Sequence, residues 1–333
     1  MTRTRLALAT ALLAAASLSH PASAQGVDPE TVELQTADAH RFVAVYEAAN
    51  GLPSAEVLQA GYLDGAGRGV EIFTPYRIQN AENLAAVIAA NTGAYRRAID
   101  VCLPIGESMT PELRATYLRL AELLPGRDLP EIYLVFGAGN SGGTAGEGAQ
   151  VLGLEVLCAQ AGDEAEIRRV FQHFFAHETV HTLQDQPGGL DDLLLAHSLH
   201  EGVADFIAFL TTGEIPTPER EAWARENEDT VWAAFARDRA TVAAGTTLTE
   251  NGPDLNEAAN AARRNWVMNY QNAPEGWPHE AGYWIGRQIA QAYYDRAADK
   301  PAALASLLSI SDPGAILEAS GVADRATLTE ANE

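Results

Sequence analysis

The sequence has little positive charge. It carries 22 lysine and arginine residues against 45 aspartate and glutamate residues, which gives a formal net charge of −23 at pH 7. This excess of acid repels the phosphates of nucleic acids and anionic membranes, so we expect neither as a partner. No D-x-[DN]-x-[DN]-G loop accompanies the acidic residues, so the sequence predicts no specific calcium site.

Cysteine is equally scarce, with Cys102 and Cys158 as the only two. No C-x-x-C motif is present, which argues against catalytic thiol chemistry. In an oxidising compartment an even pair is typical of a disulfide, and the alternative is two buried free thiols. A Cys102–Cys158 disulfide would stabilise the fold by about 4 kcal/mol in the chain-entropy model.

Long apolar runs are missing after the N-terminus, so no transmembrane span is expected there. At the N-terminus, Arg3 and Arg5 precede an apolar run from Leu6 to about Leu18 and the A-x-A sequence Ala22-Ser23-Ala24. This order is typical of a secretory signal peptide, residues 1–24, cleaved near Ala24-Gln25. The sequence therefore predicts an exported protein, in the bacterial periplasm or secreted, with a retained N-terminal anchor as the alternative. Nothing indicates an oligomeric state.

The mature chain has ample material for a core, since 47% of all residues are hydrophobic. Residues 36–60, 79–100 and 110–124 have helical patterns and predict a helical N-terminal lobe, residues 25–125. Residues 126–333 follow as a catalytic region, and the two parts are expected to form one compact unit. Further helices are expected at about 219–243 and 282–298, with a last one beginning at Asp312-Pro313.

Two short β-type runs, Ile132–Phe136 and Val151–Leu157, are separated by a glycine-rich stretch and predict a hairpin with a long loop. The fold class is therefore α+β, mostly helical, with a small sheet. Within the loop, Gly137 to Gly142 matches G-x-G-x-x-G. A dinucleotide site is not expected, because a strand rather than a helix follows the glycines. We expect a flexible rim over a cleft instead.

The sequence His177-Glu178-Thr179-Val180-His181 is the H-E-x-x-H signature. A D-x-x-E capping pattern, Asp163 to Glu166, begins a helix here, and Gln186-Pro187-Gly188-Gly189 ends it. On that helix both histidines lie on one face, one turn apart, where they can bind zinc. Glu178 then lies beside the open coordination position as a general base. The alternative is a pair of hydrogen-bonded core histidines.

A second apolar helical segment, from about Asp192 to Leu210, contains Glu201 and Asp205. If it returns antiparallel to the first helix, Glu201 completes a His₂Glu site for one zinc ion per chain. Asp205, one turn later, is then placed to accept the ring N–H of a ligand histidine, and is otherwise a solvated acid. Rival ligands are less favoured, since a third imidazole is unnecessary. They are His173, His197 and His200. The longer H-E-x-x-H-x-x-G-x-x-H pattern is excluded by Gln184 and Pro187.

H-E-T-V-H followed by E-G-V-A-D resembles the gluzincin branch of zinc metallopeptidases, of which thermolysin is the familiar member. Two flanking stretches, Gly139 to Thr144 and Gly282-Tyr283-Trp284-Ile285-Gly286 leading into Ala290 to Tyr294, are similar to bacterial families of zinc-dependent proteases without an assigned substrate. The resemblance covers roughly residues 130–320.

This resemblance implies a zincin-like fold, a peptide or protein substrate, zinc ligands His177, His181 and Glu201, and the base Glu178. It also implies that a strand before the metal helix, here Val151–Leu157, is an edge to which substrate backbone adds.

An oxyanion-stabilising group from a downstream helix is implied as well, and Tyr283 and His279 are the candidates. Arg287 could instead bind a substrate carboxylate. Two other functions stay open: a non-catalytic, zinc-stabilised exported protein with a binding or chaperone-like role, and a zinc hydrolase of non-peptide amides.

Overall fold

The computed structural model describes residues 26–146, 148–270 and 272–328. The predicted signal peptide and its cleavage site lie outside the described residues. The strands are β1 Leu34–Gln35, β2 Glu131–Val135, β3 Gly143–Gly146, β4 Ala149–Gly153, β5 Thr246–Thr249 and β6 Gly252–Leu255.

The described helices are α1 Ala37–Ala48, α2 Ala55–Leu58, α3 Arg68–Phe73, α4 Ala81–Ala90, α5 Thr92–Arg97, α6 Leu103–Glu107, α7 Thr110–Leu123, α8 Leu154–Ala159, α9 Glu164–Leu183, α10 Leu193–Thr212, α11 Pro218–Glu226, α12 Glu228–Gly245, α13 Glu257–Arg264, α14 Ala281–Arg296, α15 Lys300–Ser309 and α16 Pro313–Ser320. Helices α1 to α7 lie between β1 and β2, and α8 to α16 follow β4. Three π-turns extend early helices, at Gln59–Leu63, Thr74–Ile78 and Ala98–Cys102.

Four strands form one mixed sheet in the order β1-β2-β4-β3. β2 is parallel to both β1 and β4, whereas β3 is antiparallel to β4. β5 and β6 form a separate antiparallel pair. Together with the many helices, these two small sheets confirm the mostly helical α+β class. The first strand comes from the N-terminal lobe, so that lobe contributes directly to the sheet.

The predicted hairpin between the two β-type runs is wrong. β2 and β4 are parallel neighbours, and the glycine-rich stretch between them supplies β3, which is the true hairpin partner of β4. The strand predicted at Val151–Leu157 ends at Gly153, and Leu154–Ala159 is the helix α8. Nearly every residue from Ala149 to Cys158 is buried, and a continuous apolar run does not distinguish a buried strand from a buried helix.

The prediction that this strand is an edge of the sheet is also wrong. β4 is internal, and β3 lies at the end of the sheet next to it. Nor does the start of the glycine-rich stretch behave as a flexible rim. The hydroxyls of Tyr62 and Tyr95 donate to the carbonyls of Phe136 and Gly137, and buried Glu155 accepts from the backbone N–H of Gly137. These buried hydrogen bonds fix the backbone that leads into β3.

The predicted helices are largely found. α7 begins at Thr110, and α16 begins after Asp312, whose carboxylate accepts from the N–H of Ala315. The long helix expected at 36–60 is broken, because the chain turns through Asn50 and Gly51, both with positive φ. The helix expected at 219–243 is two helices, α11 and α12, which meet at Asn227.

Cys102 and Cys158 form a disulfide with a Cα–Cα distance of 5.8 Å, which confirms the predicted bond. It links the π-turn after α5 to α8. Arg97 lies beside it, and its guanidinium donates to the carbonyl of Ala161 at 2.7 Å. The N-terminal lobe is therefore covalently tied to the segment just before α9.

α10 lies at the centre of the helical half and packs against α9, α12 and α14. Among the described residues, the segment Leu190–Thr212 alone has the length and apolarity of a membrane span, with a mean hydropathy of 1.3. Of its most apolar window, 72% is buried inside the protein, which is typical of a core helix.

Candidate metal centre

α9 begins with a capped N-terminus and buries its second half. The Asp163 carboxylate accepts from the N–H of Glu166 at 2.9 Å, and the Glu166 carboxylate accepts from the N–H of Gly162 at 2.7 Å. The buried face starts at Ile167 and includes every residue from Phe175 to Val180. His177 and Glu178 are each only 6% exposed. The helix therefore carries the H-E-x-x-H pentad into the interior.

The position of α10 depends on unusually close packing against α14. A Cβ atom at Gly202 would overlap the backbone of Gly286, and one at Gly286 would overlap the carbonyl of Ser198. At Gly282 a Cβ would lie 2.9 Å from the Ser198 hydroxyl. Glycine is required at this crossing because the two backbones touch, which explains both glycines of the Gly282 to Gly286 stretch in physical terms.

Three side chains from α9 and α10 converge. His177 Nε2 lies 3.0 Å from His181 Nε2 and 3.6 Å from Glu201 Oε2, and His181 Nε2 lies 3.2 Å from the same oxygen. Ligands on a tetrahedral zinc ion lie about 3.4 Å apart, since zinc–nitrogen and zinc–oxygen bonds are about 2.0–2.1 Å. The spacing of these three atoms therefore fits a zinc ion, and the group has the composition of a metal site.

Hydrogen bonds orient both imidazoles toward the centre of this group. His177 Nδ1 donates to Asp205 Oδ1 at 2.9 Å, and His181 Nδ1 donates to Gln184 Oε1 at 2.7 Å. The amide of Gln184 is itself fixed, because its Nε2 donates to the carbonyl of His200 at 2.8 Å. With both Nδ1 atoms donating, each neutral ring directs its Nε2 lone pair toward the other ring, and the two lone pairs repel each other. A cation between them removes this repulsion.

The protonation equilibria of the three groups are coupled by charge. Burial lowers the pKa of His177, but its hydrogen bonds with Asp205 and Glu201 outweigh burial, so the pKa is raised well above its usual range. Burial also lowers the pKa of His181, but the charge of Glu201 outweighs burial, so this pKa is raised as well. Burial raises the pKa of Glu201, and the charge of His181 brings it well below its usual range. The carboxylate thus stays ionised and attracts positive charge to this point.

A second group with two histidines and a carboxylate lies next to the first: His173, His177 and Asp205. His173 Nε2 is 3.6 Å from Asp205 Oδ1. However, Asp205 Oδ2 accepts from Arg220 Nη2 at 2.6 Å, in a pair that is almost fully buried. The arginine already balances the charge of this carboxylate, so this group is a poorer cation site than the first.

Glu178 follows His177 on α9 and faces the sheet. A Cβ atom at Gly143, the first residue of β3, would lie 2.5 Å from Glu178 Oε1, so the strand passes directly over the carboxylate. Burial raises the pKa of Glu178, and the charges of His181 and His177 act against that rise. A buried carboxylate with a raised pKa beside a candidate metal site is a suitable proton acceptor.

Of the two candidates for oxyanion stabilisation, Tyr283 is the one that contacts the group. Its ring is parallel to that of His177, with centroids 6.3 Å apart, and the guanidinium of Arg220 lies 5.2 Å from its centroid. Burial raises the pKa of Tyr283 well above its usual range, so its hydroxyl stays protonated. His279 instead contacts Tyr270, at a centroid distance of 5.0 Å.

Arg287 is not placed to bind a substrate carboxylate. It is buried and forms an ion pair with Glu221, and its guanidinium also lies over Phe209. Its charge is used inside the fold, between α11 and α14. The expectation for Arg287 is therefore wrong.

The other rival ligands lie at the margin of the group. The ring of His200 stacks on His181 at a centroid distance of 4.9 Å, and burial lowers the pKa of His200 to about 4. Burial likewise lowers the pKa of His197 to about 4. Both are therefore neutral near pH 7, and neither joins the three converging atoms.

Two residues with clear roles here were missed by sequence reasoning. Arg220 pairs with Asp205 and contacts Tyr283, yet it lies in a charged helix whose pattern does not distinguish it from other surface arginines. Gln184 orients His181 from three residues beyond the pentad. The only available signal for Gln184 was its place at the end of the helix, one turn after His181.

No protein-family model, curated protein or solved structure matches this chain. The comparisons therefore assign no family, and the resemblance drawn from the motifs stays a prediction.

Proposed function

We propose that this chain is a zinc-dependent peptidase of the gluzincin type, with a zincin-like fold. The observation that supports it most is the convergence of His177 Nε2, His181 Nε2 and Glu201 Oε2 beside the buried carboxylate of Glu178. A purely structural zinc site has four protein ligands, whereas three ligands and an adjacent carboxylate are typical of a catalytic one. Among the described residues, no fourth histidine, cysteine or carboxylate joins this group.

One zinc ion would be held by these three atoms. When bound, zinc would supply a Lewis acid and lower the pKa of an attacking water. Asp205 and Gln184 hold the two imidazoles in the tautomer that this requires, with their protons on Nδ1.

Glu178 accepts a proton at its carboxylate from the attacking water and then gives that proton to the nitrogen of the leaving amine. Its burial supports this role, because a raised pKa brings a carboxylate closer to the neutral range in which proton exchange is efficient. The Tyr283 hydroxyl, which stays protonated, donates a hydrogen bond to the oxygen on which negative charge develops.

The substrate backbone adds to the free edge of β3. That strand is paired with β4 on one side only, and its first residue, Gly143, passes over Glu178. An extended peptide that continues the sheet at this edge is therefore carried past the base in a defined register. Because Gly143 has no side chain, the peptide can approach closely there.

We place this activity outside the cytoplasm, in the periplasm or the medium. The Cys102–Cys158 disulfide is typical of proteins in oxidising compartments. The signal-peptide pattern at residues 1–24 points the same way.

The first experiment is elemental analysis of the mature chain, followed by a screen with a peptide library and a set of small amides. We expect close to one zinc per chain and cleavage of peptides. Glu178→Gln should keep the zinc and lower kcat by about 10²- to 10⁴-fold, because the base is lost and the ligands are not. Glu164→Gln, an exposed glutamate on the same helix, is the matched control.

Full activity in Glu178→Gln would contradict the mechanism. Turnover of small amides without peptide cleavage would favour the amidohydrolase. Bound zinc with no turnover of either class would favour a zinc-stabilised binding protein.

A further inference from the structure

Arginine supplies nearly all of the positive charge of this acidic chain, and most of its solvent-shielded side chains are engaged. Within residues 26–146, 148–270 and 272–328, every arginine shielded from solvent has a carboxylate, carbonyl, amide, sulfur or ring partner, with one exception. That exception is Arg77, which is half-buried and makes no hydrogen bond, ion pair or ring contact there.

The lack of a partner is costly for this side chain. Arg77 Nε is fully buried and has no hydrogen-bond acceptor. A buried donor without an acceptor destabilises a protein, and the effect is larger when the group is charged. Such groups are rare in native proteins and often mark a place where a ligand completes the hydrogen bonding.

Arg77 lies in the π-turn Thr74–Ile78, in a segment that packs over the substrate side of the sheet. The ring of Phe73 contacts Gly137 and Gly153, and Ile72 contacts Gly146 at the end of β3. The turn ends at Gln79, whose φ of 69° lies in the left-handed region that disfavours side chains other than glycine. Strained backbone of this kind is concentrated at functional sites.

The segment that carries Arg77 is also close to the proposed catalytic base. Ile72 contacts Gly146, the last residue of β3, and Gly143, the first residue of that strand, passes over Glu178. In agreement with this placement, the charge of Arg77 is among those that lower the pKa of Glu178.

We infer that Arg77 binds a carboxylate of the peptide substrate, through the paired N–H groups of its guanidinium. This rests on the proposed function for the choice of a peptide as ligand. The carboxylate is either the free C-terminus of the peptide or an aspartate or glutamate side chain near the scissile bond.

Two other arginines close to the site already have carboxylate partners. Arg220 is neutralised by Asp205, and Arg287 by Glu221. Arg77 has no carboxylate partner among the described residues, and a guanidinium matches a carboxylate with two parallel hydrogen bonds.

The test compares three forms of one peptide: a free C-terminal acid, a C-terminal amide, and the amide with aspartate as its last residue. The best-cleaved library peptide supplies the sequence. We expect the wild type to prefer one of the two carboxylate forms over the plain amide by about 10- to 100-fold in kcat/KM. Which form is preferred identifies the source of the carboxylate.

Arg77→Gln should bring that ratio close to one, and Arg77→Lys should leave an intermediate ratio, since it keeps the charge but not the fork. Arg127→Gln, an exposed arginine, is the control, and zinc content checks that each variant is folded. Equal losses on all three peptides would overturn the inference, because they would assign Arg77 to oxyanion stabilisation or to the charge balance of Glu178.

A binding measurement separates this inference from the proposed function. Acetyl-trialanine as the acid, acetyl-trialanine as the amide, and acetyl-dialanyl-aspartate as the amide are titrated calorimetrically into the wild type and Arg77→Gln. Tighter binding of either carboxylate form by the wild type alone supports the carboxylate site even if no peptide is cleaved. No preference for either carboxylate form over the plain amide in the wild type overturns it.

Discussion

Two groups of side chains meet at His177, and they differ in one respect that decides their chemistry. His177, His181 and Glu201 form the first group, and His173, His177 and Asp205 form the second. Each has two histidines and a carboxylate, with ligand atoms that lie within 4.8 Å of one another.

The difference is the charge that each carboxylate already faces. Glu201 faces imidazole nitrogens at 3.2 and 3.6 Å, whereas Asp205 faces the guanidinium of Arg220 at 2.6 Å. A dication near Asp205 would be repelled by that arginine, while a dication near Glu201 completes the charge balance. Proximity of ligand atoms is therefore insufficient to identify a metal site, and the charges already paired must be counted.

The largest expected effect is the loss of zinc from the first group alone. Glu201→Gln removes the only anionic ligand, so we expect zinc content to fall from about one per chain to nearly zero, with loss of peptidase activity. His173→Gln, which removes the histidine that belongs to the second group alone, should keep the zinc. Elemental analysis of both variants measures this. Zinc retained in Glu201→Gln and lost in His173→Gln would reverse the assignment of the two groups.

The next effect tests the charge balance in the second group. Arg220→Gln leaves Asp205 buried without its cation, and we expect it to lower the free energy of unfolding by about 3–5 kcal/mol. Urea denaturation measures the change. The double variant Arg220→Gln with Asp205→Asn should cost less than Arg220→Gln alone, because no uncompensated charge remains. A cost below about 1 kcal/mol for the single variant would contradict this account.

A smaller effect is expected on zinc affinity through the hydrogen bond that joins the groups. Asp205→Asn still offers an oxygen to His177 Nδ1 but lacks the charge that strengthens this bond, so zinc should bind about 10- to 100-fold more weakly. Competition with a chromogenic chelator gives the affinity. Asp192→Asn, whose carboxylate pairs with Arg239 in another part of the fold, is the control. Unchanged affinity in Asp205→Asn would mean that the bond to His177 is structural only.

Much of the candidate site follows from local rules that the sequence displays. A capping pair, an apolar stripe and a proline–glycine stop define α9, and the spacing of four residues then brings His177 and His181 together. The prediction that α10 returns beside α9 placed Glu201 correctly because a long apolar segment must pack on another one.

Other parts depend on contacts between residues distant in sequence. The order of the sheet, β1-β2-β4-β3, is set by a parallel crossover that periodicity does not reveal, so the edge strand was assigned to the wrong segment. Arg220 and Arg77 owe their roles to what surrounds them: one has a buried carboxylate partner and the other has none. No local pattern separates these two arginines from those on the surface.

The smallest expected effect concerns the neutral histidine of the second group. Burial lowers the pKa of His173 from about 6.5 to about 3, because Asp205, already paired with Arg220, offsets burial only in part. Below pH 6.5 the unfolded chain takes up a proton that the folded chain does not, so stability falls as the pH decreases from 6.5 toward 3 and is unaffected above that range. Each pH unit is worth at most about 1.4 kcal/mol, and partial exposure of the ring should reduce the change between pH 6.5 and 5 to about 1 kcal/mol.

The measurement is the urea midpoint against pH for chelated wild type and His173→Gln, since chelation removes the effect of metal release. The variant should show the shallower slope. Equal slopes would mean that His173 is protonated in the folded protein. Asp205 would then face two cations, His173 and Arg220, which contradicts the charge balance inferred for this carboxylate.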